Sequence, residues 1–73
     1  KIRFDIPKSI NNKPVQLIIY DILGKEVARL VNENLKSGIY NVNWDASNYS
    51  RGNYLYQLKA EGFVETKKML LVK

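Results

Sequence analysis

The acidic side chains are the first candidates for chemistry, because the 73-residue chain contains no histidine and no cysteine. Those two residues supply the usual general base, thiolate nucleophile and transition-metal ligands, so such sites are excluded. A catalytic carboxylate pair requires two acids that converge in a pocket, and a domain of this size has little room for one. Most of the acids instead flank predicted turns or lie on polar strand faces. They are Asp5, Asp21, Glu26, Glu33, Asp45, Glu61 and Glu65. We therefore expect no enzyme and no cofactor.

The segment from Asp45 to Asn48 is the best candidate for a cation site. Asp45, Ser47 and Asn48 carry side-chain oxygens. A calcium loop, however, requires several such oxygens at alternate positions and a closing glutamate. A capped turn explains these residues better than a metal site does. The four glycines are isolated turn residues, so no glycine-rich phosphate cradle is present.

Tyrosines near basic residues are typical of a stacking platform for nucleic acid or sugar. Tyr54 and Tyr56 lie near basic residues, but strand alternation places both on the face of Leu58. Core packing is therefore the better explanation for these two side chains. Tyr49 lies in a polar loop and is the aromatic residue that we expect to be exposed. No nucleic-acid partner is predicted.

The basic residues give the chain a net charge of +5. They are scattered along the sequence, with Lys67 and Lys68 as the exception. A solvated basic surface is the simpler interpretation of this charge. The alternative is attraction to an anionic partner such as nucleic acid, lipopolysaccharide or an acidic protein surface.

No apolar run approaches the roughly 20 residues of a membrane-spanning helix. The first residues alternate between charged and apolar types, which is unlike the continuous apolar region of a signal peptide. The sequence starts without methionine and, by its pattern, within a strand. We therefore expect a single domain, residues 1–73, taken from a longer protein.

Periodicity predicts six or seven short strands and no convincing helix, which is typical of an antiparallel β-sandwich. A short helix remains the alternative for residues 25–31. The predicted strands are Lys1–Ile6, Val15–Tyr20, Lys25–Val31, Ile39–Asp45, Asn53–Ala60 and Phe63–Val72.

The strand Val15–Tyr20 and the turn that follows it are the most regular part of the chain. Val15, Leu17 and Ile19 alternate onto one face, as a half-buried strand requires. Asp21 and Gly24 then bracket a reversal, because aspartate can bond the backbone two residues on and glycine can take a positive φ.

Several later positions also carry expectations. Leu35 is an isolated apolar residue in a polar loop, and we expect it to tuck under the sheet edge. Trp44 should lie centrally in the core. Glu61 and Gly62 form a two-residue hairpin connection. The final strand has mixed faces, which a bulge or a strand covered on both sides would explain.

Four blocks of this sequence together form a recognisable pattern. The first is VQLIIYDILGKEVARLV at residues 15–31, and the second is GIYNVNWD at residues 38–45. The third is GNYLYQL at residues 52–58, and the last is TKKMLLVK at residues 66–73. Together these blocks resemble the type A C-terminal sorting domain of type IX secretion, and they occur in that family's order and at its spacings. The related immunoglobulin-like domain of flagellar hook-capping proteins shares these strand motifs.

One part of the family pattern precedes the first strand, namely an aromatic-Pro-Asn-Pro-Phe stretch. This sequence starts after the place where that stretch would lie. The short loop from Asp45 to Gly52 and the terminal Lys-Lys-Met block favour the sorting domain over the hook-capping domain.

The resemblance implies an immunoglobulin-like sandwich that serves as a sorting signal for a secreted or cell-surface cargo. The outer-membrane type IX machinery would recognise the folded domain after it reaches the periplasm. A sortase-like surface peptidase would then remove the domain and join the cargo to a lipopolysaccharide anchor. The alternative is a structural or carbohydrate-associated sandwich packed on a neighbouring catalytic domain.

Lys67, Lys68 and Lys73 are the candidate recognition residues. As strand-edge lysines they would guard the last strand against edge pairing. The resemblance implies that the transport machinery reads the same basic strand by charge or by strand addition. The two roles are compatible. Exposed edges would also allow self-association of the domain.

Overall fold

The computed structural model describes residues 2–72, which form six strands and no helix. The prediction of an all-β sandwich is therefore confirmed. The strands are β1 (Ile2–Ile6), β2 (Lys13–Asp21), β3 (Glu26–Leu35), β4 (Gly38–Val42), β5 (Gly52–Ala60) and β6 (Phe63–Leu71).

The strands form two antiparallel sheets. β1 and β4 make a two-stranded sheet, and the other sheet has the order β3-β2-β5-β6. Each sheet buries one face against the other, as in an immunoglobulin-like sandwich. Within residues 2–72 this order leaves β6 as a free edge of the larger sheet, next to the β5–β6 hairpin.

The core is centred on β2, which lies between β3 and β5. Val15, Leu17 and Ile19 are fully buried on its inner face, so the predicted alternation is confirmed. From the smaller sheet, Ile2, Phe4 and Ile6 meet them in one cluster. Because Ile18 is also buried, on the opposite face, β2 is covered on both sides.

The predicted reversal after β2 is confirmed in detail. The carboxylate Oδ1 of Asp21 accepts hydrogen bonds from the backbone N–H groups of Leu23 and Lys25, each at 2.9 Å. Gly24 has a φ of 87°, in the left-handed region that glycine enters without a Cβ clash. Residues 21–25 thus form a tight turn between two paired strands.

β3 differs from its prediction because it continues to Leu35 and contains two irregularities. Leu17 and Ile18 pair with Val31 and Arg29, so Leu30 is an extra residue in β3. Val27 is skipped in the same way, between the partners of Ile19 and Tyr20. Each bulge shifts the alternation by one residue, so four apolar side chains of β3 pack against the core: Val27, Ala28, Leu30 and Val31.

Leu35 is the last residue of β3 and pairs with Lys13, so its prediction as a loop residue is wrong. Its contact with the core agrees with the expectation that it tucks beneath the sheet. Polar residues did not end the strand, because β3 is an edge strand whose side chains can face solvent.

β4 is shorter than predicted, and Trp44 lies outside it. β4 ends at Val42, which pairs with Ile2, and residues 43–46 belong to no strand. Trp44 is half-buried at the end of the core, where its ring lies 5.3 Å from Tyr54 in an edge-on arrangement. The expected central position of Trp44 is therefore wrong.

β5 and β6 form a regular hairpin. Ala60 pairs with Phe63 across the predicted two-residue connection, and Gly62 has a φ of 69°. The register continues without a shift to the Gly52–Leu71 pair, and the outer face is exposed at Val64 and Leu70. Both predicted explanations of the mixed faces, a bulge and a strand covered on both sides, are therefore wrong. The mixed pattern of β6 arises because its outer face is open to solvent although it carries the apolar residues Val64 and Leu70.

Candidate functional site

The two adjacent lysines of β6 do not form one basic patch, because successive strand residues point to opposite faces. Lys67 is paired in register with Tyr56, which shares the inner face of the larger sheet with the core residue Leu58. Lys68 is paired with Leu55 on the outer face. Lys73, the third predicted recognition residue, lies outside the described residues.

Lys67 lies in an open groove between β6 and the smaller sheet. Its Nζ is 3.5 Å from Oε1 of Glu65, and both side chains are partly exposed. The groove has a volume of about 330 Å³ and is lined by Arg3, Phe4, Asp5, Ile39, Glu65 and Lys67. Because two cations and two carboxylates line it, the groove has no excess charge that would select a polyanion.

Lys68 lies in a different setting, beside apolar side chains of the outer face. A hollow of about 230 Å³ is lined by Ile22, Asn53, Tyr54, Leu55 and Lys68. Ile22 is 70% exposed and Leu70, which is on the same face as Lys68, is 66% exposed. We call Ile22, Leu55, Lys68 and Leu70 the outer patch. A partner that pairs an apolar surface with a carboxylate fits it.

Sequence reasoning identified Lys68 but missed its apolar neighbours. Val64, Leu70 and Val72 follow the same two-residue period as Lys68, so the pattern of β6 contained this signal. Ile22 is more than forty residues away in the chain, and only the pairing of Asp21 with Tyr54 brings the turn to this end of β5.

A polar row crosses the outer face beside the patch. The hydroxyl of Tyr20 donates to Oε1 of Gln57 at 3.5 Å, and Nε2 of Gln57 donates to Oγ1 of Thr66 at 3.1 Å. The row joins β2, β5 and β6, so it fixes the outer face of the free edge strand relative to the sheet centre. The sequence contained no local signal for it, since the three residues come from three strands.

The loop that follows β4 is organised by aromatic packing. The hydroxyl of Tyr49 donates to the backbone carbonyl of Val27 at 2.8 Å, and its ring lies 5.3 Å from Trp44. Tyr49 is therefore half-buried and its predicted exposure is wrong, because Trp44 and β3 cover it. Tyr54 contacts the core, as predicted, and donates to the carbonyl of Ser50 at 2.6 Å.

The polar start of this loop is a turn closed by its own side chain. Oδ1 of Asp45 accepts a hydrogen bond from the backbone N–H of Ser47 at 3.2 Å, which agrees with the predicted capped turn. Among residues 2–72, no three acidic side chains come together in a way that could hold a metal ion. In the same residues, no helix is long and apolar enough to cross a membrane.

These features describe a sandwich with a free terminal strand and an apolar patch around one lysine. Over residues 1–73 the sequence matches the family described as the secretion system C-terminal sorting domain. The chain belongs to this family. It is a C-terminal sorting domain of type IX secretion, a signal for export across the outer membrane to the cell surface or the exterior.

Membership of this family confirms the resemblance found in the sequence. Sorting domains act as signals and not as catalysts, and their role implies contact with the type IX machinery. The accessory-sandwich alternative is therefore set aside in favour of sorting. Searches of curated proteins and of solved structures found no match to this chain.

Proposed function

We propose that the type IX outer-membrane translocation components recognise this sorting domain by binding β6 and the outer patch. The observation that carries the proposal is the position of β6, an edge strand whose outer face exposes Lys68 among apolar side chains. Lys67 and Lys68 supply positive charge on β6, and Lys73, two residues beyond the strand in the sequence, is the third recognition residue that we propose. The domain itself has no catalytic role, and Glu65, the acid nearest to β6's lysines, is already paired with Lys67.

Two kinds of contact combine on this strand. The free edge offers backbone N–H and C=O groups to an added strand of the partner, which gives affinity without a sequence requirement. Lys68 and the apolar outer patch then select a partner surface that carries a carboxylate beside apolar groups. The groove at Lys67 faces the other way, so a partner that adds a strand to β6 meets both lysines from opposite sides.

The order of events follows from the role of a sorting domain. The cargo lies on the N-terminal side of Lys1, in one longer protein of which residues 1–73 form a single sorting domain. The machinery binds the folded domain in the periplasm and moves the cargo outward. A sortase-like surface peptidase then removes the domain. The edge of β6 is also the place where self-association of the domain would occur.

The proposal is tested with a secreted reporter fused in front of residues 1–73 in a bacterium that has type IX secretion. The double variant Lys67→Glu, Lys68→Glu reverses both charges while the β5–β6 ladder keeps its backbone bonds. We expect surface and medium reporter to fall about tenfold or more, with the reporter retained in the periplasm. The measurement is reporter activity in separated fractions.

A matched control is Lys8→Glu, Lys36→Glu, which makes the same change in net charge at two exposed positions outside β6, the outer patch and the turn of residues 21–25. We expect this variant to be delivered normally. Deletion of residues 69–73 should also trap the reporter. That deletion removes Met69 and Leu71, which pack on the core, so circular dichroism must show that the domain still folds. Normal delivery of the Lys67→Glu, Lys68→Glu variant contradicts the proposal.

A further inference from the structure

The described strands leave four candidate edges, and β6 is the one best suited to pair with another chain. β1 and β4 have five residues each, whereas β6 has nine in unbroken register with β5. β3 is ten residues long, but its two bulges disrupt a regular ladder. β6 is therefore the longest regular free edge among residues 2–72.

The hairpin determines which backbone groups of β6 are free. Ala60 and Phe63 close a two-residue connection, so they form a hydrogen-bonded pair of the ladder. Hydrogen-bonded pairs then recur at every second residue, including Glu65 and Lys67. The N–H and C=O groups of the residues between them, Val64, Thr66 and Lys68, point away from β5.

We infer that β6 pairs with β6 of a second copy of this chain, antiparallel, about a two-fold axis at Thr66. In that register Thr66 faces Thr66 of the second copy, and Val64 faces Lys68, so the outward backbone groups of these three residues meet those of the second copy. Glu65 faces Lys67 of the second copy, and the symmetry repeats this pair. The continuous sheet would have eight strands.

Charge complementarity selects this register. Glu65 and Lys67 would form non-hydrogen-bonded pairs across the axis, where opposing side chains come closest. On the same face Phe63 would meet Met69, which extends the apolar core across the axis. The inner-face residues of β6 are, in order, Phe63, Glu65, Lys67 and Met69. The antiparallel copy presents them in reverse order, so phenylalanine meets methionine and glutamate meets lysine.

The neighbouring registers that keep the backbone pairing are unfavourable. An axis at Val64 pairs only residues 63–65 of β6 with the second copy. An axis at Lys67 places Lys67 opposite its own copy and leaves Glu65 facing Met69. An axis at Glu65 places two glutamates opposite each other, and an axis at Lys68 places two lysines opposite each other. Like charges directly opposite destabilise a strand pair, so Thr66 is the favoured centre.

This inference takes up the self-association mentioned above, but it does not rest on the role of β6 in sorting. One edge cannot pair with two strands at once, so a second copy and the transport machinery would compete for β6. A single strand pair buries little surface, and we expect a weak dimer that forms at high protein concentration. The test is therefore made on purified residues 1–73, apart from any secretion assay.

The experiment is sedimentation equilibrium over a concentration series, with folding checked by circular dichroism. We expect a monomer–dimer equilibrium that Lys67→Glu and Glu65→Lys each weaken by about tenfold or more. The double variant Glu65→Lys, Lys67→Glu swaps the charges and restores the dimer. Lys25→Glu, which changes net charge in the same way as Lys67→Glu, leaves the association unchanged.

Thr66→Pro gives an independent readout, because it removes an N–H that points away from β5 and leaves the intramolecular ladder intact. We expect this variant to fold and to remain monomeric. A wild-type chain that stays monomeric at every concentration overturns the inference. So does a Thr66→Pro dimer, or a charge-swapped variant that fails to associate. These outcomes leave the secretion result for Lys67→Glu, Lys68→Glu unaffected.

Discussion

At the scale of single residues, Asp21 shows how one side chain organises the chain around it. Its carboxylate accepts two backbone hydrogen bonds, and its own backbone groups bond to Gly24 and Lys25. These contacts close the turn that joins the central strand β2 to the edge strand β3. The same turn presents Ile22 to the outer patch. Asp21 therefore supports the fold and, indirectly, the proposed recognition surface.

Replacing Asp21 with alanine should lower the free energy of unfolding by about 1–2 kcal/mol, because two backbone donors lose a charged acceptor. The measurement is the midpoint of urea unfolding at unchanged slope. Asp21→Asn is the matched control, since its side-chain oxygen can still accept, and it should lose less than half as much. Equal losses for the two variants would show that the hydrogen bonds are not the cause.

At the scale of elements, the β5–β6 hairpin carries the candidate site. Its register places Lys67 over a groove of balanced charge and Lys68 in the apolar outer patch. The edge position of β6 leaves every second backbone group free. The role that we propose for the hairpin thus depends on alternation and on its place in the sheet, both of which the connection at Gly62 helps to set.

Gly62→Ala should destabilise the domain by roughly 1 kcal/mol, because Gly62 has a φ of 69° that residues with a Cβ rarely adopt. A Cβ at this position would meet no atom within 4 Å, so the cost is conformational and not a packing clash. Gly62→Asn tests that reason, since asparagine tolerates the left-handed region and should cost less. Thermal unfolding of the three proteins gives the order, and an asparagine variant less stable than the alanine variant would contradict it.

At the scale of the whole molecule, the two sheets differ in how firmly they are held. β2 is bonded to strands on both sides, whereas β1 and β4 share a single ladder of five pairs. The smaller sheet is held to the larger one by the side chains of Ile2, Phe4 and Ile6. Opening of the smaller sheet would uncover the groove at Lys67 without breaking the β5–β6 hairpin.

Amide hydrogen exchange should detect this difference. We expect protection factors in β1 and β4 to be about tenfold or more below those at Leu17 and Ile19, because local opening of a two-stranded sheet needs less free energy. Residue-resolved exchange followed by nuclear magnetic resonance provides the measurement. Equal protection in both sheets would indicate that the sandwich opens only as one unit.

Local rules predicted much of the fold. Residue type and two-residue alternation were enough to predict strands β2 and β5, the turn at Asp21 and the connection at Gly62. These features depend on neighbours within a few residues, so a sequence contains the information they need. The errors occurred where the position of a residue depends on a partner that lies far away in the sequence. Trp44 lies beyond the end of β4, where its ring packs against Tyr49 and Tyr54, and neither of these partners is a strand neighbour that two-residue alternation takes into account.

Some features of the candidate site likewise follow from local sequence, and others depend on contacts between distant segments. Alternation along the chain suffices to separate Lys67 from Lys68, and the four sequence blocks suffice to identify a sorting domain. The bulges of β3, the cover over Tyr49 and the meeting of Ile22 with Leu55 and Lys68 depend on contacts between strands far apart in sequence. Local propensities do not encode such contacts, because they are selected by how two sheets share one core. The sequence by itself thus determined the family and the two faces of each strand. Only the packing of the two sheets determined which strand is a free edge and which apolar residues gather beside it.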